Sequence, residues 1–453
     1  MNSMEKMDKP RYITLADALL LEAHMSGERT FRLPSELKLM KQYGLSITTV
    51  RKALQHLVRK NLLVKQHGIG SFIRTEMIRA RTVRVSLARH YPADRRFHEE
   101  IIRRFQMNND GVTVTWPDRM PYTVENLSST DIIQLSMDYA KRNAAYFMPL
   151  DTFIQTNCPD VYPQKVLDLF RVQGTCFGLP RKYSPFYLFC DLKRFKEKGI
   201  PIPSADWTWD EFLAAVERLY EPERAYGYFA DPNFYDLFPL ILQNEGSISE
   251  TSLFDPHDSR TMQAFSFYAK LCSMSDIDHA NITWRTGFER LMSGRAAIVF
   301  STLTFLLNFP DEQLPDGYGI LPLPRGRRKA NILTGECYCL TKYAGRLEDA
   351  SALLAELSGE YARALLFRER ILMPVTGKNV FFPGVPDVQK EVACSSVISL
   401  WTDREIAHCA LPALRAIFHA SEGDLEEACI RLKDDIDMIV HKRNEIESHV
   451  LIQ

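Results

Sequence analysis

No run of about 18 or more apolar residues occurs anywhere in the chain, which excludes a transmembrane helix. The first ten residues, Met1–Pro10, are polar and charged and lack the apolar core of a secretory signal. The chain is therefore expected to stay in the cytoplasm, with no membrane partner. Cysteine is sparse and unordered: nine residues, an odd number, are scattered from Cys158 to Cys429 without a CxxC pair. That excludes a disulfide framework. Cys337 and Cys339, the one close pair, fit the alternation of a strand better than a metal site. His, Cys and acidic side chains never gather at zinc-like spacing, so neither a metal nor a cofactor is expected. Gly-x-Ser-x-Gly, a Walker loop and HExxH are all missing, so an enzyme is not expected either. There is no internal repeat and no low-complexity stretch.

What is present is ordinary globular composition, 45% hydrophobic and 25% charged over 453 residues, a length that suggests several domains. The net charge of −1 hides an asymmetry. Residues 1–81 hold 15 Lys/Arg against 7 Asp/Glu, a net of +8, which leaves 41 against 50, or −9, for the remainder. A basic head on an acidic body predicts that the head alone meets a polyanion.

The head reads as three helices and a hairpin. Leu15, Leu19 and Ala23 form a helical stripe within residues 14–25. In Leu33-Pro34-Ser35-Glu36, Ser35 can cap a helix reaching Tyr43, and Gly44 ends it. Ser46 caps a third helix with Val50, Ala53, Leu54, Leu57 and Val58 on its core face. The opposite face carries Thr48, Arg51, Lys52 and Gln55, which suits a DNA major groove. Leu62–Gln66 and Ser71–Arg74 read as two strands around the turn His67-Gly68-Ile69-Gly70, a wing whose glycines allow close approach to a phosphate.

These segments resemble the gluconate-repressor (GntR) family of bacterial transcription factors. The matching residues are Leu33-Pro34-Ser35-Glu36, Ser46, Thr48-Thr49-Val50-Arg51, Ala53-Leu54, Leu57, Gly68, Gly70 and Phe72. The resemblance implies a winged helix-turn-helix in which Thr48, Thr49 and Arg51 touch DNA from the recognition helix. His67 and Gly68 would do so from the wing. Ser35, Lys52 and Gly70 complete the expected interface. Leu37 and Ile47 stand where the family usually has arginine, the commonest reader of guanine, so a different operator is expected.

Beyond the polar stretch Arg74–Arg81, strand and helix patterns alternate. Thr82–Ala88 and Gly111–Trp116 read as strands, with a helix through Phe97, Ile101, Ile102 and Phe105 between them. Thr130–Leu135, Cys176–Pro180 and Phe186–Phe189 read as further strands, and Lys193–Lys198 and Trp209–Leu219 as helices. In such α/β sheets ligands sit beyond the carboxyl ends of the strands. A C-terminal helix, Leu425–Glu447, has Leu432, Ile436 and Ile439 on one stripe, fit for a dimer surface or for internal packing.

This ordered series resembles the extracellular solute-binding proteins that include maltodextrin-binding proteins. It runs through Asp131-Ile132-Ile133, Pro149-Leu150-Asp151, Gly178-Leu179-Pro180, Asp191-Leu192, Thr208-Trp209-Asp210-Glu211-Phe212, Glu245-Gly246, Ser293-Gly294-Arg295-Ala296-Ala297 and Pro322-Leu323-Pro324. The expected fold class is α/β multidomain, a winged helix-turn-helix followed by a two-lobed periplasmic-binding-protein-like (type II) domain. Expected boundaries are 10–74 for the DNA-binding domain, 75–81 for a linker and 82–453 for the effector domain, with lobe crossings near 185, 322 and 372. The resemblance implies closure around a sugar or oligosaccharide. Sugar pockets pair aromatic faces with carboxylates and amides; Tyr91, Ser136, Asp138, Tyr183, Tyr235, Trp284 and Glu336 are the candidates. The family's second-lobe tryptophan has no counterpart at Phe300-Ser301-Thr302-Leu303, which argues against a maltodextrin pocket. The expected partners are a double-stranded operator with two-fold half-sites, a carbohydrate effector and a second copy of the chain. The function expected is transcriptional regulation, as a repressor. Two alternatives are a regulator with a pyridoxal-phosphate aminotransferase-like domain, for which Lys342 is the nearest lysine, and a ligand-independent DNA binder.

Overall fold

The computed structural model describes residues 11–26, 28, 30–59, 62–66, 68–75, 81–89, 91–117, 127, 129–229, 235–249, 253–275, 286–309, 314–368, 386–397, 412–417 and 423–450. The chain divides into two compact units, residues 1–134 with 340–362, and residues 135–339 with 363–453.

The first unit opens with α1 (Arg11–Met25), β1 (Thr30–Arg32), α2 (Glu36–Tyr43), α3 (Ile47–Arg59), β2 (Leu63–Gln66) and β3 (Gly70–Arg74). Local sequence sets the helix ends. The Ser35 hydroxyl accepts from the Lys38 N–H, and Gly44 closes α2 at a φ of 64°, a left-handed conformation that costs other residues about 1–2 kcal/mol. The Ser46 hydroxyl accepts from the Thr49 N–H at 3.2 Å and starts α3. Leu15, Leu19, Leu39, Val50, Leu54 and Leu57 then bury together as one core. Val58, expected on that face, is instead 39% exposed. At about 100° of turn per residue the buried stripe runs from Ala53 through Leu57 and Val50 to Leu54, and Val58 falls about 40° beyond Leu54, past its edge. The strands form an antiparallel sheet in the order β1-β3-β2, with Phe31 opposite Ile73 and Val64 opposite Phe72. Strand β1 was not expected, because three residues are too few to show an alternation.

The same unit continues with β4 (Thr82–Ser86), α4 (Pro92–Asn108), β5 (Thr113–Thr115) and the first residues of β6 (Ile132–Ser136). β4 lies between β5 and β6, parallel to both. Phe97, Ile101 and Phe105 of α4 are buried, as their helical spacing requires, and the helix Leu347–Ser358 packs on α4. Buried Asp131 accepts from the Arg84 N–H and guanidinium, each at 2.6 Å, and from the Gly345 N–H at 3.1 Å. This carboxylate ties β4 to the turn before the returning helix.

The second unit is built around β7 (Leu179–Asp191), thirteen residues and all of them buried. The sequence reads as two strands here, Cys176–Pro180 and Phe186–Phe189. The structure has one. Pro185, opposite Leu333, is the last residue of β7 in register with β10, and Phe186 is the first in register with β8, so the missing N–H falls at the end of a ladder. Along β7 pair β8 (Ile298–Thr302), β9 (Tyr318–Leu321) and β10 (Asn331–Leu340), all antiparallel. Leu333 of β10 faces Pro185, and Thr302 of β8 faces Phe186. One face of this sheet is covered by α6 (Trp209–Leu219), α7 (Leu237–Gln243), α8 (Ser259–Cys272) and α9 (Leu425–Val450), which share a core with Phe186, Leu188 and Ile332. Thr208 and Glu211 form a capping box at the start of α6. In α9, Leu432 and Ile436 are fully buried and Ile439 packs on the same core, so the stripe left open above serves internal packing. The expected crossing near 372 lies outside the described residues.

Candidate functional site

In the first unit the side chains proposed to meet DNA spread over α2, α3 and the β2–β3 ribbon. Ser35, Thr48, Arg51, Lys52, Gly68 and Gly70 are exposed, and Thr49 is half-buried. The Thr49 hydroxyl lies 2.9 Å from that of Ser46, so it belongs to the helix cap. Arg51 is not simply a solvated charge: its Nε donates to Glu36 Oε2 at 2.9 Å, and Lys65 Nζ lies 3.6 Å from Glu36 Oε1. At the wing, the Ile69 N–H closes a turn onto the Gln66 carbonyl, and Gly68 adopts a φ of 75° that a side chain would resist. Arg32 donates to the Ile69 carbonyl at 2.7 Å and holds the ribbon tip from β1. Leu37 is 68% exposed on the first turn of α2. His67 lies outside the described residues.

In the second unit the sheet register sorts the ligand candidates by face. Residues opposite one another on paired antiparallel strands point the same way. Glu336 opposes Lys182, Thr334 opposes Ser184 and Thr302 opposes Phe186, so these six share one face. Lys182 Nζ lies 3.0 Å from Glu336 Oε1, and Arg181 Nη1 lies 3.6 Å from Oε2. Further along the same face, the Phe186 ring stacks with Phe300 at 4.6 Å and with Tyr235 at 5.3 Å between centroids. The span from Lys182 to Phe186 is roughly 13 Å of strand, at about 3.3 Å per residue. Within β10 only Thr334 and Glu336 escape full burial, and Phe300, Thr302 and Tyr235 are also half-buried. Lys182, Ser184 and Phe186 are themselves buried, and Phe186 belongs to the core under α6–α9, so the open part of this face is Glu336, Thr334 and Thr302, with Phe300 and Tyr235 at the edge of that core.

Tyr183 is on the opposite face, 6% exposed, and burial pushes its phenol up to about 12. The structure therefore brings Glu336 and Tyr235 onto one face and leaves Tyr183 off it. Ser136 ends β6 and starts α5 (Met137–Arg142) without capping it, and Asp138 follows in the first turn. Asp138 Oδ1 is buried with no hydrogen-bond partner. Burial raises this carboxyl well above its ordinary range, opposed by its own backbone N–H, Lys141 and Arg142. Tyr91 belongs to the first unit, half-buried just before α4, where its carbonyl accepts from the Arg95 N–H at 3.1 Å. Trp284 lies outside the described residues. Sequence reasoning missed Lys182, Thr334 and Phe300. Alternation along Leu333–Glu336 was the available signal, but it needs the pairing partner to be read.

Among the described residues no group of His, Cys, Asp and Glu is placed to hold a metal, and no helix is long and apolar enough to cross a membrane. A helical head closed by a three-stranded ribbon, in one chain with this α/β architecture, defines a DNA-binding module joined to a small-molecule receptor fold. Residues 25–73 match the family "Bacterial regulatory proteins, gntR family", and residues 99–356 match "Bacterial extracellular solute-binding protein". The second match covers more than half of the chain, which belongs to the bacterial extracellular solute-binding protein family and carries a gntR-family domain ahead of it. The pair of domains makes a regulator with a ligand-binding domain.

Solved structures agree on the fold. An ABC substrate-binding protein from Listeria monocytogenes in complex with cycloalternan is 16% identical, with a TM-score of 0.64 over 80% of this chain and 98% of its own. A solute-binding protein from Thermotoga lettingae bound with alpha-D-tagatose is 14% identical, with a TM-score of 0.65 over 79% and 99%. UgpB from Mycobacterium tuberculosis in complex with glycerophosphocholine is 13% identical, with a TM-score of 0.64 over 80% and 99%. At these identities the likeness establishes the two-lobed solute-binding-protein fold and nothing about the ligand. No curated protein sequence matches the chain.

Proposed function

We propose that this protein is a cytoplasmic, dimeric transcriptional repressor whose operator affinity is set by a carbohydrate effector. The observation that carries the reading is the joining, in one chain, of a gntR-family domain and a solute-binding-protein domain. A solute-binding fold attached to a DNA-reading head has its output at the head. The half-buried rings of Tyr235 and Phe300, with Thr334 and Glu336 further along the same face, have the chemistry a sugar needs: rings for its apolar face and a carboxylate for its hydroxyls. Ser136 and Asp138 are further ligand contacts in this reading. Thr48, Arg51 and Lys52 read the operator, and the wing at Gly68–Gly70 contacts its backbone. Heads of this type pair on two-fold sites. The sugar acts by its differential affinity for two states of the protein, which is the one way a ligand shifts an equilibrium.

The test uses the full chain in two assays. Thermal shift against maltose, D-tagatose, D-mannitol and glycerophosphocholine should single out a stabilising compound; a ligand at 100 times its dissociation constant adds about 2.7 kcal/mol. Band shift at low salt on duplexes selected from a random pool should show binding that this compound weakens. Arg51→Ala should weaken specific retardation by about 1–3 kcal/mol, the range of one bidentate base contact, and leave the thermal shift intact, and Glu336→Gln should do the reverse. A protein that binds DNA with no response to any of the four compounds would instead be the ligand-independent DNA binder.

A further inference from the structure

Arg51 leaves the second turn of α3, is 62% exposed, and is engaged at one edge of its guanidinium only by a carboxylate from another element. Glu36 is the first residue of α2, its carboxylate 30% exposed, and it takes the Arg51 Nε–H at 2.9 Å. The other carboxylate oxygen faces Lys65 of β2 at 3.6 Å, so wing strand, second helix and recognition helix meet at one acidic group. An exposed ion pair of this kind contributes little to stability, typically about 0–1 kcal/mol. A carboxylate on a surface that meets phosphates also opposes binding. Its geometry supplies a different role. With Nε occupied, the plane of the guanidinium is set and the two terminal nitrogens form its outward end. Bidentate recognition of guanine O6 and N7 needs two coplanar N–H groups presented together.

We propose that Glu36 is a positioning residue for guanine reading: it holds the Arg51 guanidinium in the plane that addresses a guanine edge, and Lys65 holds Glu36. The proposal rests on the DNA-binding reading above. It predicts that Glu36 governs discrimination between bases more than affinity for duplex DNA in general.

The experiment uses the full chain and a duplex selected by the wild-type protein from a random pool. Each guanine is replaced in turn by 7-deazaguanine, which lacks the N7 acceptor. The guanine whose replacement weakens wild type but not Arg51→Ala is the one Arg51 reads. At that position Glu36→Ala should lower discrimination roughly tenfold, within the range open to one bidentate contact. Its affinity for an unrelated duplex should be unchanged or tighter, since a negative charge is gone. Glu36→Gln keeps an acceptor oxygen and should fall between wild type and Glu36→Ala. In the Arg51→Ala background, Glu36→Ala should weaken the selected duplex by no more than about twofold, because the side chain through which it acts is gone and the two changes are coupled. The proposal is overturned if Glu36→Ala tightens selected and unrelated duplexes alike, because the carboxylate would then merely compete with DNA. It is equally overturned if Glu36→Ala costs as much without Arg51, because its role would then be support of the fold. A wild-type chain that retards no duplex at low salt overturns the DNA-binding reading itself, and this proposal with it.

Discussion

Replacing Gly178 by alanine would place a methyl carbon 2.4 Å from the Cys337 sulfur, 2.8 Å from Cys337 Cβ and 3.1 Å from Phe170 Cβ. Favourable contact between carbons lies at about 3.5–4.0 Å, so all three distances fall on the repulsive wall. Both neighbours are held: Cys337 is fully buried in β10, paired opposite Pro180, and Phe170 is 1% exposed. The expected cost is about 1–3 kcal/mol of overpacking. The register irregularity between Glu336 and Cys337 adjoins the clash, so the displacement should reach the Glu336 carboxylate as well. Cys337→Ala removes the sulfur but leaves the 2.8 Å contact, so it should rescue Gly178→Ala in part, with a coupling of about 1 kcal/mol. Urea unfolding of the four proteins in this cycle, read by the fluorescence of buried Trp207 in the same unit, gives the comparison as midpoints at constant slope. A Gly178→Ala protein within about 0.5 kcal/mol of wild type, or one whose loss is indifferent to Cys337, would refute the argument.

Asp138 makes stability pH-dependent in a defined direction. Its carboxyl is raised in the folded protein by burial, so the folded state holds a proton that the unfolded chain has already released. Stability is fully present below the ordinary carboxylate range and is lost as pH rises from that range through the raised value. Asp138→Asn should flatten this fall, as melting temperatures from pH 4 to pH 8, roughly the span above an ordinary aspartate, would show; an unchanged slope would refute it. Leu432→Ala should cost about 2–5 kcal/mol, since Leu432 is fully buried in the core shared by α6, α7, α8 and α9. Size-exclusion chromatography should show the same oligomeric state for this variant. A changed state without destabilisation would mark the stripe as a surface between subunits.

The head was legible because its signals are local. Ser35, Gly44 and Ser46 each act within four residues of their own position, and the period of Val50, Leu54 and Leu57 names the buried side directly. Where sequence reasoning failed, the deciding partner was far away. Val58 fell outside the core because a stripe has edges that α1 and α2 define. β7 read as two strands because its continuity shows only in its partners, β10 pairing up to Pro185 and β8 from Phe186 onward. The C-terminal helix was open between two uses because an apolar stripe does not say what covers it; the core shared with α8 decided that.

The ligand face divides in the same way. Strand ends and positions like those of the solute-binding proteins put Tyr183, Tyr235 and Glu336 among the candidates, because aromatic rings and carboxylates suit sugars. In a strand the side alternates at every residue, so a neighbour in sequence is a stranger in space. The register of β7 against β10 put Glu336 with Lys182 and turned Tyr183 away, and the stacking on Phe186 brought in Phe300 from more than a hundred residues along. Gly178 carries the same lesson: nothing about its own backbone demands glycine, and the reason is the Cys337 side chain. The order of the modules and the ends of their helices follow from the chain alone, since the helix ends depend on hydrogen bonds a few residues apart. Tertiary structure alone decided which side chains share a surface, since that depends on register between strands that the chain order does not encode.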